Sequence, residues 1–494
     1  MRPLGRLTRL VRGSAGFSRL AALGGALLPL LVIGPVCYLT FVHRAVEQDD
    51  ALIYLRYVRN FLADKGLVYN EGSFYNGLTS PLHTYLLIVV SSLVRDLQRA
   101  STLLSGAFLG LAALTFSQVF RRQVGVPFVL FSALLMVCSR YFYATFGMET
   151  TVFIFLIGTC LYLFERNRTR ELGIACALLV LTRPEGVFLL VAMAIEHHRQ
   201  GRPLPRLGEF VPPALIIAAN CLFNLVYYGA VLPGTSAAKI YFGMSGYWGE
   251  WPTAFLRVGY HFTWYFLSSH FLFFIELFLA VVGMISLRSK SLNVVTISFL
   301  ALYTAFYVLL NIPNHPWYYG PYYAIGFFWA GAGAQWLWGR LSGVSIRSLR
   351  VAGATVGVLL LALVLGRNFE ITRRMNAWND RHVPYHDIGL WIRDNTPRDA
   401  SLAAVEIGTL GWFSERPIID ILGLVSPLNA RFVADREMGR WLQHYTPDYV
   451  LAHDPPWQLE TGICDAAANG YLVEHPTFTY PGYRLFVRGD LVGR

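Results

Sequence analysis

The sequence predicts a polytopic α-helical membrane protein, with about 11–13 transmembrane helices followed by a small C-terminal α/β domain. Three observations predict this class. Of 494 residues, 55% are hydrophobic and only 14% charged, too apolar for a soluble chain of this length. The apolar residues come in runs, several reaching the roughly 17–25 residues that a helix needs to cross a bilayer. Beyond residue 367 the long runs stop, charges rise and turn signals such as Asn395-Thr396-Pro397 appear.

Arg2, Arg6, Arg9, Arg12 and Arg19 precede an apolar run to Val42. That run is too long for a signal-peptide core, and no A-x-A site follows it. An uncleaved first transmembrane helix with a cytoplasmic N-terminus is expected. Further spans are expected at 101–120, 124–141, 150–164, 171–183, 186–197, 208–228, 271–287, 292–311, 317–339 and 350–367. Residues 81–95 are short and read as a dip into the membrane; 253–270 reads as a surface segment carrying Arg257, His261 and His270. If 81–95 crossed, Arg121 and Arg122 would fall on the wrong side.

The net charge of +11 is largely arginine in short loops, namely Arg166/Arg168/Arg170, Arg199/Arg202/Arg206, Arg288/Lys290 and Arg340/Arg347/Arg350. This is the pattern of cytoplasmic loops, and no nucleic-acid partner is implied. The connections 43–80, 147–150, 229–252 and 311–317 then face outward, with everything after Arg367. Two domains are expected: a transmembrane domain over 1–367, with a first external loop at 43–80, and an extracytoplasmic α/β domain over 368–494. In the latter, IGLWIRDN reads as an amphipathic helix, and SLAAVEI, RPIIDI, DYVLAH and YRLFVRG read as strands. The six cysteines show no ligand spacing and read as small buried hydrophobes.

The adjacent acids Asp49 and Asp50 come just past the first helix. A helix cap explains one aspartate. It explains two less well, because adjacent carboxylates repel and raise each other's pKa, which suits a general base. Leu52, Leu55, Val58, Phe61 and Leu62 follow at helical spacing, an amphipathic helix for the outer interface.

DDALIYLRYVRNFLADKGLVYNEG followed by NGLTSPL resembles the first external loop of the GT-C superfamily of glycosyltransferases, in particular the arabinofuranosyltransferase-like envelope enzymes. FGMETTVF, LTRPEG, YYGAVLPGTSAAK, HPWYYGPYY and VEIGTLGWFSERPIIDILGLVSP follow in the same order. The chain departs from the pattern at Tyr75-Asn76-Gly77 and at Pro233-Gly234-Thr235. The resemblance implies a multi-helix membrane enzyme with an external active site and an essential acid in the first external loop; the Arg-rich loops and the lack of sorting signals add the expectation of a bacterial inner membrane. The donor it implies is a sugar on polyprenyl phosphate; the acceptor is a cell-envelope glycan, lipopolysaccharide or protein.

One of Asp49 and Asp50 is then the base that deprotonates the acceptor hydroxyl, the other orienting the acceptor, with inversion at the sugar. Arg183, Lys239 and His315 are the candidates to meet the leaving phosphate's charge. Glu149, Glu185 and Tyr318 complete the expected substrate-binding set. Bland readings stand beside these: an internal Arg183–Glu185 ion pair, a snorkelling Lys239, a loop His315, and an interfacial aromatic belt over Trp317–Tyr319 and Tyr322–Tyr323. No cofactor is expected; a divalent metal between carboxylates and phosphate is admissible but not favoured. The competing class is a transporter or flippase for a lipid-linked sugar, which would place polar groups along a path through the bilayer.

Overall fold

A computed structural model describes residues 15–46, 48–256, 272–375 and 379–492. The expected surface segment at 253–270 lies, from 257 on, outside the described residues. Every expected span is a helix: Ala15–Val42, Leu97–Phe120, Val126–Cys138, Thr150–Glu165, Thr169–Thr182, Val187–Arg199, Val211–Tyr228, Phe273–Ser286, Ser291–Leu309, Gly320–Ser342 and Arg347–Arg373. Among the described residues, five segments are long and apolar enough to cross a membrane by length and composition alone. Shorter ones such as Thr150–Glu165 are held inside the bundle, with most of their side chains buried. Small residues bring helices close where they cross: a Cβ on Gly283 would strike the Trp329 carbonyl, and one on Gly333 the Leu279 carbonyl.

Contacts between helices fix relative sides. Gly106 packs on Thr40 and Gly110 on Val36, so Leu97–Phe120 runs antiparallel to Ala15–Val42. Its end therefore lies on the side where the first helix begins. There Arg122 donates to the Glu165 carbonyl (3.5 Å), Arg202 to the Phe164 carbonyl (3.1 Å), and Gln200 reaches Ser291. The basic loops thus gather on one face. Helix Pro81–Leu93 begins on the opposite face, where His83 donates to the Gly147 carbonyl (2.9 Å), and leads back to Leu97 on that same face. It does not cross, and Arg121 and Arg122 sit with the other basic loops.

Over the Asp50 face lies a five-stranded sheet of β1 (Leu402–Ala404), β2 (Ile418–Asp420), β3 (Tyr449–His453), β4 (Leu472–Glu474) and β5 (Tyr483–Arg488), in the order β2-β1-β3-β5-β4. Strands β1, β2 and β3 are parallel, Leu402 standing opposite Ile418 and Tyr449; β5 is antiparallel to β3 and β4. Four of these strands were expected. Strand β4 was not, since of its three residues only Leu472 is buried. Helix Gly234–Ser245 was also unforeseen. It inserts Ala238 and Phe242, one turn apart, into the small core formed by Ala430, Val433, Trp441 and Ile463.

Two expectations are corrected. Trp317 and Tyr318 are buried in protein, with the Tyr303 hydroxyl donating to the Tyr318 carbonyl (3.1 Å), so they are no interfacial belt. Of the cysteines only Cys138, Cys160 and Cys176 are buried; Cys221 is half-buried, and Cys37 and Cys464 are exposed.

Candidate active site

Helix Asp49–Leu62 carries both aspartates in its first turn. The fold treats them differently. Asp49 is buried, and its two carboxylate oxygens accept the backbone N–H groups of Gly408 (2.8 Å) and Thr409 (2.6 Å), the N-terminus of helix Gly408–Ser414. Two turns on, the buried Arg56 donates to the carbonyls of Gly411 (2.5 Å) and Arg416 (2.7 Å) at the other end of that helix, and to Tyr69 (2.9 Å). Residues seven apart share one helical face. An acid at the positive end of a helix and a cation at its negative end are both favourable. Asp49 and Arg56 therefore clamp helix Gly408–Ser414 end to end. The expected cap on the aspartates' own helix is not made, since that helix has no side-chain cap; Asp49 caps a remote helix instead, and both its oxygens are engaged there. Asn70 completes the clasp by exchanging side-chain hydrogen bonds with the backbone of Ile418 (2.7 and 3.0 Å) on edge strand β2.

Asp50 is half-buried and makes no hydrogen bond or ion pair among the described residues. Burial, then the charge of Asp49, pushes its carboxyl up to about 7, with Lys239 opposing and Glu149 and Asp420 adding to the rise. Asp420, at the end of β2, is itself raised to about 6 by burial, although Leu422 and Val425 N–H groups (2.9 Å each) donate to it. Gly77 brings that loop down: a Cβ there would meet the Tyr57 hydroxyl, Val425 and the Leu424 carbonyl at 2.8–2.9 Å. The carboxyl ends of the parallel strands thus face the first external loop, the usual ligand edge of an α/β sheet.

Beneath Asp50 runs a buried polar chain. Tyr54 donates to Glu149 (3.3 Å), and Arg183 donates to Glu149 (2.6 Å), Glu185 (3.2 Å) and the Tyr307 hydroxyl (2.9 Å). Tyr307 in turn bonds Glu185. Gly147, with φ +92°, lets the Glu149 turn press on the first external helix, since a Cβ would meet Ala51 at 2.6 Å and Val46 at 2.8 Å. The Arg183 side chain is 1% exposed, and its two terminal nitrogens are committed to Glu149, Glu185 and Tyr307, as in the ion-pair reading, while its buried Nε finds no partner. Lys239 is half-buried, makes no ion pair among the described residues, and lies 5.6 Å from the Tyr318 ring centroid, while Arg183 lies 4.8 Å from it. His315 stacks flat on Trp317 (4.5 Å) and packs on Tyr318; burial and the charges of Lys239 and Arg183 push it down to about 3, leaving a neutral ring.

All eight expected residues therefore fall in one region, with Asp49 set apart as a clamp. Arg56, Tyr307 and Asp420 were missed. Arg56 stands two turns after Asp49, a spacing legible in the sequence; Asp420 lies inside a motif already noted. Among the described residues no group of three or more His, Cys, Asp or Glu is placed to hold a metal ion. The two places where the chain departs from its resembled family touch each other. The Gly234 N–H donates to the Asn76 carbonyl (2.9 Å), and the Tyr75 ring fills the space that a side chain at 234 would take.

The chain is a helical membrane protein with a capping α/β domain, and at their junction Asp50 has no hydrogen-bond or ion-pair partner among the described residues. Comparison with known proteins places the chain more narrowly. It is similar to ArnT from Cupriavidus metallidurans in the apo state (TM-score 0.58, 13% identity, covering 96% of this chain and all of that one). It is similar as well to the same protein bound to undecaprenyl phosphate (TM-score 0.57, 13% identity, 96% and 98% coverage). At that identity the likeness is one of fold. In sequence it is 29% identical over 221 residues to the terminal β-(1→2)-arabinofuranosyltransferase of Mycobacterium tuberculosis, a match covering 39% of this chain and 34% of that relative. The chain thus spans about a third of the length of that curated relative. Residues 372–486 match a family described as a domain of unknown function, DUF8728.

Proposed function

We propose that this protein is a glycosyltransferase that moves a single sugar from a polyprenyl-phosphate donor to an extracytoplasmic acceptor in the bacterial inner membrane. The acceptor class is a cell-envelope glycan, lipopolysaccharide or protein. The observation that carries the reading is the division of labour between the aspartates: Asp49 is spent on the clamp, while Asp50 stays open, raised to about 7 and close to Lys239. The names of the relatives support it, as does the capture of undecaprenyl phosphate by a protein of this fold.

In this reading Asp50 takes the proton from the acceptor hydroxyl, and that oxygen bonds to the anomeric carbon. The bond from that carbon to the phosphate oxygen breaks on the opposite face, its electron pair leaving with polyprenyl phosphate, so the centre inverts. Lys239 meets the new charge, and the neutral His315 supplies an N–H donor. The test is transfer of radiolabelled sugar from polyprenyl-phosphate donors. Asp50→Asn is expected to lower turnover by roughly 10²–10⁴-fold, while Asp49→Asn loses far less. Equal activity of wild type and Asp50→Asn would overturn the assignment.

A further inference from the structure

At the carboxyl edge of the sheet, aromatic rings line up in the open. Trp457 is exposed, and its ring stacks flat on His453 at the end of β3, with centres 3.6 Å apart and planes within 10°. Tyr483 stands opposite His453 in the β3–β5 register, 5.2 Å on, and Tyr480 follows at 6.0 Å. His453, Tyr483 and Tyr480 are half-buried, so each keeps an accessible part. The row is fixed from below. The buried Glu460 accepts the Trp457 N–H (2.8 Å) and pairs with His453 Nδ1 (2.8 Å), whose Nε2 pairs with the hydroxyl of the buried Tyr385 (2.7 Å). Carboxylates flank it: Asp387, held by His386 (2.9 Å), reaches the Tyr480 hydroxyl at 3.5 Å, and Asp454 next to His453 is exposed. None of these residues is used by the transfer chemistry, but the edge is the same one. Strand β3 lies beside β1, which runs on to the Gly408–Thr409 turn held by Asp49. It is two strands from β2, which ends at Asp420, about 10 Å away at the usual strand spacing.

We propose that this row binds the sugar rings of a glycan acceptor, Trp457 stacking on the C–H face of one ring while Asp387, Asp454 and Tyr480 hydrogen-bond hydroxyls at its rim. A sugar ring has a C–H face and a rim of hydroxyls, and a flat apolar ring with polar groups at its edge matches both. The aromatic side chains are already held in place, so binding loses little rotamer freedom. The proposal rests on the transferase reading and narrows its acceptor to a carbohydrate chain, one end on this row and the other toward Asp50. The lipid headgroup layer is the competing surroundings for an exposed tryptophan. The charges beside this ring disfavour it: Asp454 and Asp387 are acids, which an anionic bilayer surface repels. Arg484, within electrostatic reach of Asp454, is tied to Glu474 (2.7 Å).

The test uses the full-length protein in phosphatidylcholine nanodiscs with no donor present, so binding is read without transfer. The probes are an arabinofuranose hexasaccharide and maltohexaose, titrated by calorimetry. Wild type should bind at least one of them, and its preference sets furanose against pyranose rings. Trp457→Ala should weaken that binding by about tenfold or more, and Trp457→Phe, which keeps a flat ring, by less. If Trp457→Ala does not accumulate, Tyr480→Ala carries the test with a smaller loss in the same direction. Binding of neither glycan, or binding unchanged in the alanine variants, would overturn the proposal. So would quenching of the Trp457 emission (wild type less Trp457→Phe) by brominated phosphatidylcholine, which would put the ring in the bilayer. Failure of the transferase reading looks different: no sugar moves from any donor, while glycan binding and its dependence on Trp457 remain.

Discussion

Asp50 is a carboxylate that the fold leaves without a hydrogen-bond or ion-pair partner among the described residues. Its carboxyl titrates near 7 because burial and a neighbouring acid disfavour the charged form. Two outcomes follow with fixed signs. A base must be unprotonated to act, so the transfer rate should climb through pH 7 and level off above it. The folded state binds this proton more tightly than the unfolded chain, whose value is 3.8. The group's stabilising contribution is therefore whole below pH 3.8 and is lost as pH rises through about 7. At pH 8 Asp50→Asn should be more stable than wild type by roughly 1–2 kcal/mol, with the gap closing toward pH 4. Thermal unfolding of the two proteins across that range checks it. A variant that is both inactive and less stable at pH 8 would make Asp50 a structural residue. The Asp-Asp pair was legible as an exceptional feature of the sequence. Which aspartate does which was not, because the deciding partners, Gly408 and Thr409, stand 359 and 360 residues from Asp49.

At the scale of elements, a single helix both carries Asp50, the proposed base, and holds the capping domain. Arg56→Ala would strip buried carbonyls of their donor, at a cost of about 2–4 kcal/mol; Asp49→Asn would remove one acceptor and a charge from a helix N-terminus, about 1–2 kcal/mol. Limited proteolysis between the last membrane helix and β1 should therefore speed up in both, most in Arg56→Ala. Equal cleavage rates in all three proteins would dissolve the clamp. A second test concerns Gly234, where two effects compete. In a helix's first turn alanine is favoured over glycine by up to about 1 kcal/mol. Here its Cβ would overlap the Tyr75 ring, and overpacking costs about 1–3 kcal/mol. Gly234→Ala should thus destabilise, and Tyr75→Ala should relieve it; a double-mutant cycle showing simple additivity would separate the two sites. The hydrophobic runs made the membrane helices legible, and alternation made four strands so. Helix Gly234–Ser245 escaped because Ala238 and Phe242 read as apolar only against a core supplied by residues some two hundred positions later.

For the molecule as a whole, the reading depends on sidedness. The structure fixes which ends lie together: the basic loops on one face, Asp50, Lys239, His315 and the sheet on the other. Positive loops face the cytoplasm, so Asp50 should face out. The cysteines supply a label already in place. Cys464 is exposed on helix Thr461–Ala468 of the capping domain. Cys37 and the half-buried Cys221 lie on apolar helices of membrane-spanning length, where the surrounding medium is lipid, and Cys138, Cys160 and Cys176 are buried. A membrane-impermeant maleimide added to intact spheroplasts should therefore label the wild type, and Cys464→Ser should abolish the signal. Arg168→Cys, in a basic loop and made in the Cys464→Ser background, should label only after the membrane is broken. The reverse pattern would put Asp50 in the cytoplasm. A donor displayed outside could not then be used, and the transfer proposed here would fail even with the chemistry of Asp50 intact.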